Sequence, residues 1–495
     1  MTTHGLVAPN VRRVWRVLLL TFVTPVLVHC GSSENAPPGA TAGYGGVGMG
    51  GAAGTGLGAG ASSSSGAANN AGNGGTGVAG AATNGGTAGA NGGAGGSARA
   101  GAAGSATAGS GGNEAGGAST LGPVTFEKNV KVNDDSGNGM HTEVVVASGP
   151  DGLLIANWMD FRNARTCGFA VSTDGGKTWG KNFFISVAGS EFVGDPAAAI
   201  DADGRIYAGC QDYGLSQIRL STSTDKGQTW SPPKSIQGAP DKPQLGASPT
   251  VGGVAFTSWL GGSAGVRGTK DGGMTWGPVH ELEFLNHGTT LSIGSSGAVH
   301  VAFSPNGGVI RYARSKDLGD TWDATKTIVT STGNIHDCAG IRQHPVIGGD
   351  SDPTGKYVVV TWTGSMSNGS STEDVYVTYS SDSGDTWTKP IKVNDNTAAA
   401  CAVQPWATVD SRGRVHVTWT DTRDGQNDTY YARSADPSQG FEKNVKVNDG
   451  SGNVAGFLGD YKGIAISGSD VIVVWNDTRS GSNIYSARAV GAAAP

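Results

Sequence analysis

The chain has 495 residues, with 34 Lys and Arg against 40 Asp and Glu, a net charge of −6 at pH 7, and 84 glycines. An acidic chain without a basic stripe has nothing with which to neutralise phosphates, so nucleic acid is excluded as a partner. No Cys-x-x-Cys pair and no His/Cys cluster at zinc spacing occurs, which sets a structural zinc site aside.

At the N-terminus, Arg12, Arg13 and Arg16 precede an apolar run from Val17 to Val28 that is too short to span a bilayer comfortably, the arrangement of an export signal. Its end, Leu27-Val28-His29-Cys30, resembles the lipobox of bacterial lipoproteins. The resemblance implies that Cys30 becomes a lipidated first residue, tethering the chain at the outer membrane or cell surface; cleavage and release is the alternative. His29 departs from the small residue of that family. Residues 31–123 are almost wholly Gly, Ala, Ser, Asn and Thr. Such a segment cannot bury enough apolar surface to offset its ordering entropy, and it reads as a disordered tether with a reach of roughly 50 Å.

Ordered structure is expected over 124–490, and it begins with a stretch that the chain writes twice. FEKNVKVNDDSGN at 126–138 returns as FEKNVKVNDGSGN at 441–453. Between them STDGGKTW (172–179), STDKGQTW (223–230), TKDGGMTW (269–276), SKDLGDTW (315–322) and SSDSGDTW (380–387) recur, with a degraded SADPSQGF at 434–441. A second register of alternating apolar runs puts Trp158, Cys210, Trp259, Phe303, Trp362, Trp419 and Trp475 at one position. Around each run the pattern predicts a preceding inner strand, a following strand that leads into the box, and an outer strand after it. Four antiparallel strands at this repeat length make a propeller blade. The last blade, from Tyr461 to Val490, has only three strands of its own, so residues 126–134 are expected to supply the fourth. The fold class is therefore all-β, a seven-bladed propeller closed by an N-terminal strand.

The boxes resemble the Asp-box, S-x-D-x-G-x-T-W, of sialidase-like (BNR-repeat) β-propellers. In the box the Asp is structural, accepting bonds from backbone N–H groups of its own turn. The resemblance covers 124–490 and implies a functional face at the end of the channel opposite the boxes. There the W-x-D-x-R triplets place Asp160 with Arg162, Asp421 with Arg423, and Asp477 with Arg479. They read either as blade-to-blade ion pairs or as a fork for a sugar carboxylate. Inter-blade loops bring Glu143, Asp195, His287, His344, Gln404 and Asp460 around the mouth, with His141 and Tyr461 close by. This ring reads as solvated lining, as a glycan site, or as oxygen ligands for calcium; no cofactor is required. Trp406, outside both repeat registers, is a candidate sugar-stacking platform.

Active sialidases grip the substrate carboxylate with three arginines and use a tyrosine paired with Glu as nucleophile and an Asp acid/base. The F/Y-R-I-P motif of that family is absent here. Arg162, Arg423 and Arg479 are the available trio, and Tyr461, Asp460 and Glu143 the available catalytic groups. Two expectations stand: a tethered monomeric propeller that binds glycan or a cell-surface glycoprotein, and a glycoside hydrolase related to exo-α-sialidases. Cys338 and Cys401, at similar places in consecutive blades, are expected to form a disulfide. Cys210, at the buried Trp position, is expected to be a free core thiol in preference to a partner for Cys167.

Overall fold

The computed structural model describes residues 122–494 apart from 137–138, 163–165, 186–192, 239–240, 261–263, 284–287, 306, 337, 339, 343, 367–371, 397–399 and 454–457. Cys30, the export signal, the tether up to residue 121 and His287 lie outside the described residues. Seven four-stranded antiparallel sheets form the ring, and each pairs its strands in chain order except at the closure. The innermost strands are His141–Ser148, Val193–Ile200, Asp241–Ala247, Thr289–Ile293, Gly348–Ser351, Ala402–Val409 and Gly463–Ser467.

Closure follows the expected route. Val130–Lys131 pairs with Asn483–Ala489 through Val130 opposite Ser486 and Lys131 opposite Tyr485, completing blade seven. Flanking bonds from Glu127 N to Arg488 O and from Val132 N to Ile484 O, both 2.8 Å, extend the contact. Beneath it, Val132, Val144, Leu154 and Trp158 pack with Ile472, Val474 and Ile484, so the seam between blades seven and one has an apolar core. A closed ring leaves no long strand edge open to another chain.

The middle strands bury Trp158, Trp259, Trp362, Trp419 and Trp475. Each good box closes in one way: Asp174, for example, accepts from Thr178 N at 3.0 Å, from the Thr178 hydroxyl at 2.6 Å and from the Ser172 hydroxyl at 2.8 Å. Asp225, Asp271, Asp317 and Asp382 repeat the pattern. These aspartates fold their own turns.

The W-x-D-x-R residues form three copies of one clamp. Arg162 bonds Asp160 at 2.7 Å within its blade, Asn182 at 3.1 Å, and Asp134 of the preceding outer strand at 3.1 Å. Arg423 does the same with Asp421, Asn444 and Asp395, and Arg479 with Asp477, Asn129 and Asp449. In every copy the Asn and the outer Asp also exchange two backbone-to-side-chain bonds. This explains the duplicated stretch. Each copy must offer an Asn to the blade before it, Asn444 to Asp395 or Asn129 to Asp449, and an Asp to the blade after it, Asp449 to Asn129 or Asp134 to Asn182.

Two disulfides are present. Cys338–Cys401, with Cα atoms 5.8 Å apart, is the expected one. Cys167–Cys210, 6.1 Å apart, corrects the expectation of a free Cys210. A cysteine where five other blades carry Trp leaves room for the facing strand of blade one to bring its own cysteine into bonding range.

Candidate functional site

Four innermost strands begin with a β-bulge, between Thr142 and Val145, Gly194 and Pro196, Asp241 and Gln244, and Val403 and Trp406. Each bulge holds one polar residue at positive φ: Glu143 at 54°, Asp195 at 42°, Lys242 at 43° and Gln404 at 54°. That region is unfavourable for side-chain-bearing residues, and a bulge re-aims the side chain it carries. Four strained polar residues at one position of the repeat point to a shared task.

Contacts between blades far apart in the ring show where these side chains meet. Lys242, in blade three, places Nζ 2.6 Å from Asp460 Oδ2 at the start of blade seven and 3.8 Å from Asp195 Oδ1 in blade two. Arg342, in the loop entering blade five, reaches both oxygens of Asp460 at 2.6 Å through Nη2. Tyr461 donates its hydroxyl to Asp195 Oδ1 at 2.8 Å, Tyr213 donates to Asp195 Oδ2, and the Gln404 amide donates to the Gly459 carbonyl. Blades three and seven face each other only across the axis, so the cluster fills the mouth of the channel. Glu143, Asp195, Asp460 and Tyr461 are at most 3% exposed. The Arg342 side chain is 42% exposed.

The electrostatics divide the acids by environment. Burial and the charge of Asp195 raise the Glu143 carboxyl well above its ordinary value. Burial, again with Asp195, pushes Asp241 up to about 7. Asp195 itself is held at about 2: burial opposes its ionisation, but the Lys242 charge and the bonds from Tyr213, Asp241 and Tyr461 outweigh it. Asp460 is lowered against its burial by Lys242 and Arg342. Burial and Asp195 raise the Tyr461 phenol. The mouth thus holds an acid whose proton is bound more tightly than usual, Glu143, beside a carboxylate that ionises readily, Asp195, with a phenol bonded to that carboxylate. Pairs of groups pushed apart in this way are suited to proton donation and acceptance.

A carboxyl raised on folding binds its proton more tightly in the native state, so it opposes stability as pH rises from its unfolded value towards its folded one. For Asp241 that window runs from about pH 4 to about 7. Asp195 acts in the opposite sense, its stabilisation being lost only as pH falls from about 4 towards 2. Wild type is therefore expected to lose melting temperature between pH 5 and pH 7 relative to Asp241→Asn. Calorimetric scans of the two proteins with parallel pH profiles over this interval would contradict the assignment.

The structure brings together Glu143, Asp195, Asp460, Tyr461 and Gln404, all anticipated, and adds Lys242, Asp241, Tyr213 and Arg342, which were not. Lys242 had a signal. Asp195-Pro196, Lys242-Pro243, His344-Pro345 and Gln404-Pro405 share one register, and in the first, second and fourth of these the proline lies at a bulge at the inner-strand entrance. Arg342 and Tyr213 lie in irregular loops and carried none. Arg162, Arg423 and Arg479 correct the expected anion grip: they do not converge, each being bound in its own clamp beside an outer strand. In Arg162 and Arg479 all three guanidinium nitrogens are bonded within the protein. Asp160 and Asp477 go with them. Trp406 lies inside the channel, its partly buried ring packed 6.1 Å from the Tyr461 ring. Gly348 makes room for it, since a Cβ there would lie 2.8 Å from the indole. Among the described residues no His, Cys, Asp and Glu group is arranged to hold a metal ion.

No family model matches the chain. A sialidase of Bacteroides fragilis is 27% identical over 209 residues, which is 33% of this chain and 38% of that protein, so the match spans well under half the length of that relative. Among solved structures, a protein of unknown function from Dyadobacter fermentans aligns with TM-score 0.45 and 13% identity over 74% of this chain and 98% of its own. A Hadza microbial sialidase aligns with TM-score 0.38 and 19% identity over 62% and 66%. An α-L-arabinofuranosidase of Fusarium graminearum aligns with TM-score 0.43 and 13% identity over 74% and 98%.

Proposed function

Because the chain is a sialidase-like seven-bladed β-propeller, we propose that it is an exported protein, tethered through Cys30, that binds glycan at the mouth of its channel. The observation that carries this reading is Arg342. Its exposed guanidinium is held on the buried Asp460 carboxylate at the rim, a preorganised donor for sugar hydroxyls. Beneath it the phenol and the carboxylates are buried and bonded to one another, which suits recognition at the rim better than attack on a sugar carbon. The Cys338–Cys401 disulfide lies four residues before Arg342 on one side and three before Gln404 on the other, and so fixes the loop to the mouth. Glycan-array binding by the full chain is the test: Arg342→Ala, which leaves Asp460 paired with Lys242 and is assayed below its lowered melting temperature, is expected to weaken the best array ligand by at least about tenfold. Undiminished binding by that variant rejects the rim site.

A second reading rests on a separate observation, the Tyr461 hydroxyl bonded to Asp195 beside Glu143, whose carboxyl is raised by burial. These groups match a hydrolase that uses a tyrosine nucleophile with an acid and a base. It requires turnover of a fluorogenic sialoside, abolished in Tyr461→Phe. Array binding with no turnover, and with Tyr461→Phe binding like the parent, excludes it.

A further inference from the structure

Below the charged cluster the channel forms a half-open cavity of about 480 Å³, within the roughly 300–1,000 Å³ typical of small-molecule sites. Its wall is mostly small residues of the innermost strands, and among the described residues that line it there is no Lys, Arg or His. Trp406 closes the upper end, with Tyr461 packed behind it. Four carboxylates reach the wall, and three are committed. Asp201 holds the N–H groups of Asp203, Arg205 and Gly253. Asp352 holds Thr354 and Tyr357, and Asp410 is paired with Arg414. Asp350 differs. It lies within an innermost strand, receives the Thr408 hydroxyl and the Ser351 N–H, both at 2.8 Å, and among the described residues forms no ion pair. Burial raises its carboxyl to about 6, so at neutral pH it is largely an uncompensated carboxylate.

We propose that this lower channel is a second ligand site, distinct from the mouth, that takes a small hydroxylated ammonium compound of the amino-sugar class, with Asp350 as counter-charge and the Trp406 ring as roof. A carboxylate without a cation in a confined space favours an ammonium group. An indole face attracts both a cation and the C–H face of a sugar. Ser292, Thr408 and Gln244 on the wall supply donors and acceptors for hydroxyls. The inference does not depend on the reading of the mouth.

Calorimetric titration of the full chain with glucosamine and with glucose near neutral pH tests it. Glucosamine is expected to bind, glucose to bind at least about tenfold more weakly, and Asp350→Asn to weaken glucosamine by a similar factor at unchanged melting temperature. Ser292→Leu, which narrows the cavity while leaving the Asp350 carboxyl in place, is expected to weaken binding at least about tenfold and covers the case in which the Asp350 variant fails to fold. Arg342→Ala at the mouth is expected to leave glucosamine affinity as it was. No heat with glucosamine, equal affinity for glucose, or undiminished binding in either cavity variant overturns the proposal.

Discussion

Excising residues 124–134 while retaining the rest of the chain is expected to lower the melting temperature by on the order of 10 °C or more. The excision removes the outer strand of blade seven, the buried Val132 and two clamp partners at once. Burying a Val side chain is worth about 1.5–3 kcal/mol. The larger effect comes from what is left behind. Without Asn129, Arg479 and Asp449 lose their common partner, and without Asp134, Arg162 loses its contact across the seam. Charge pairs broken on one side cost more than pairs never formed. Blade seven would then end in an unpaired edge, with aggregation as a secondary sign. Scanning calorimetry of the excised and parent chains decides the point, and equal melting temperatures would show that the closure carries no stability.

Lys242→Met is expected to destabilise by about 3–5 kcal/mol at neutral pH, the usual cost of removing one member of a buried charged network. Asp195 and Asp460 would lose their shared ammonium, with Glu143 and Asp241 close by. Part of the loss should return as pH falls towards 5, because protonation then removes the repulsion. Lys462 is an internal control. It too is buried, but its nearest bond is to the Thr429 hydroxyl at 3.4 Å, and burial lowers its amine to about 7 against weaker attraction from Asp477 and Asp421. Its charge gains little, so Lys462→Met is expected to be nearly neutral. Denaturant unfolding of both variants at two pH values checks the contrast. Equal losses in the two would mean that the mouth cluster is no more coupled than an ordinary buried lysine.

The mouth shows why part of the site was legible and part was not. Glu143, Asp195 and Asp460 were found because they recur at one phase of the repeat, where geometry requires a loop to enter the channel. Lys242 occupies the same phase, and its Pro243 marks the same bulge. Nothing local distinguishes Arg342 or Tyr213, which reach the cluster only because irregular loops fold inward over the ring. The arginines of the W-x-D-x-R triplets misled for the opposite reason. A repeated Asp–Arg pair looks the same in sequence whether it faces a ligand or a neighbouring blade, and only the position of Asn129, Asn182 and Asn444 opposite them decides which.

By itself the sequence determined the blade count, the strand order, the box turns and the closure, because each rests on local chemistry repeated along the chain: strand alternation, turn aspartates, and an outer strand written twice. The tertiary structure alone decided which side chains share a pocket and with what charge. Those properties arise between blades far apart in the chain, where burial sets the Glu143, Asp241 and Asp350 carboxyls apart from their ordinary values. Desolvation and cross-axis Coulomb interactions depend on distances that no local pattern encodes.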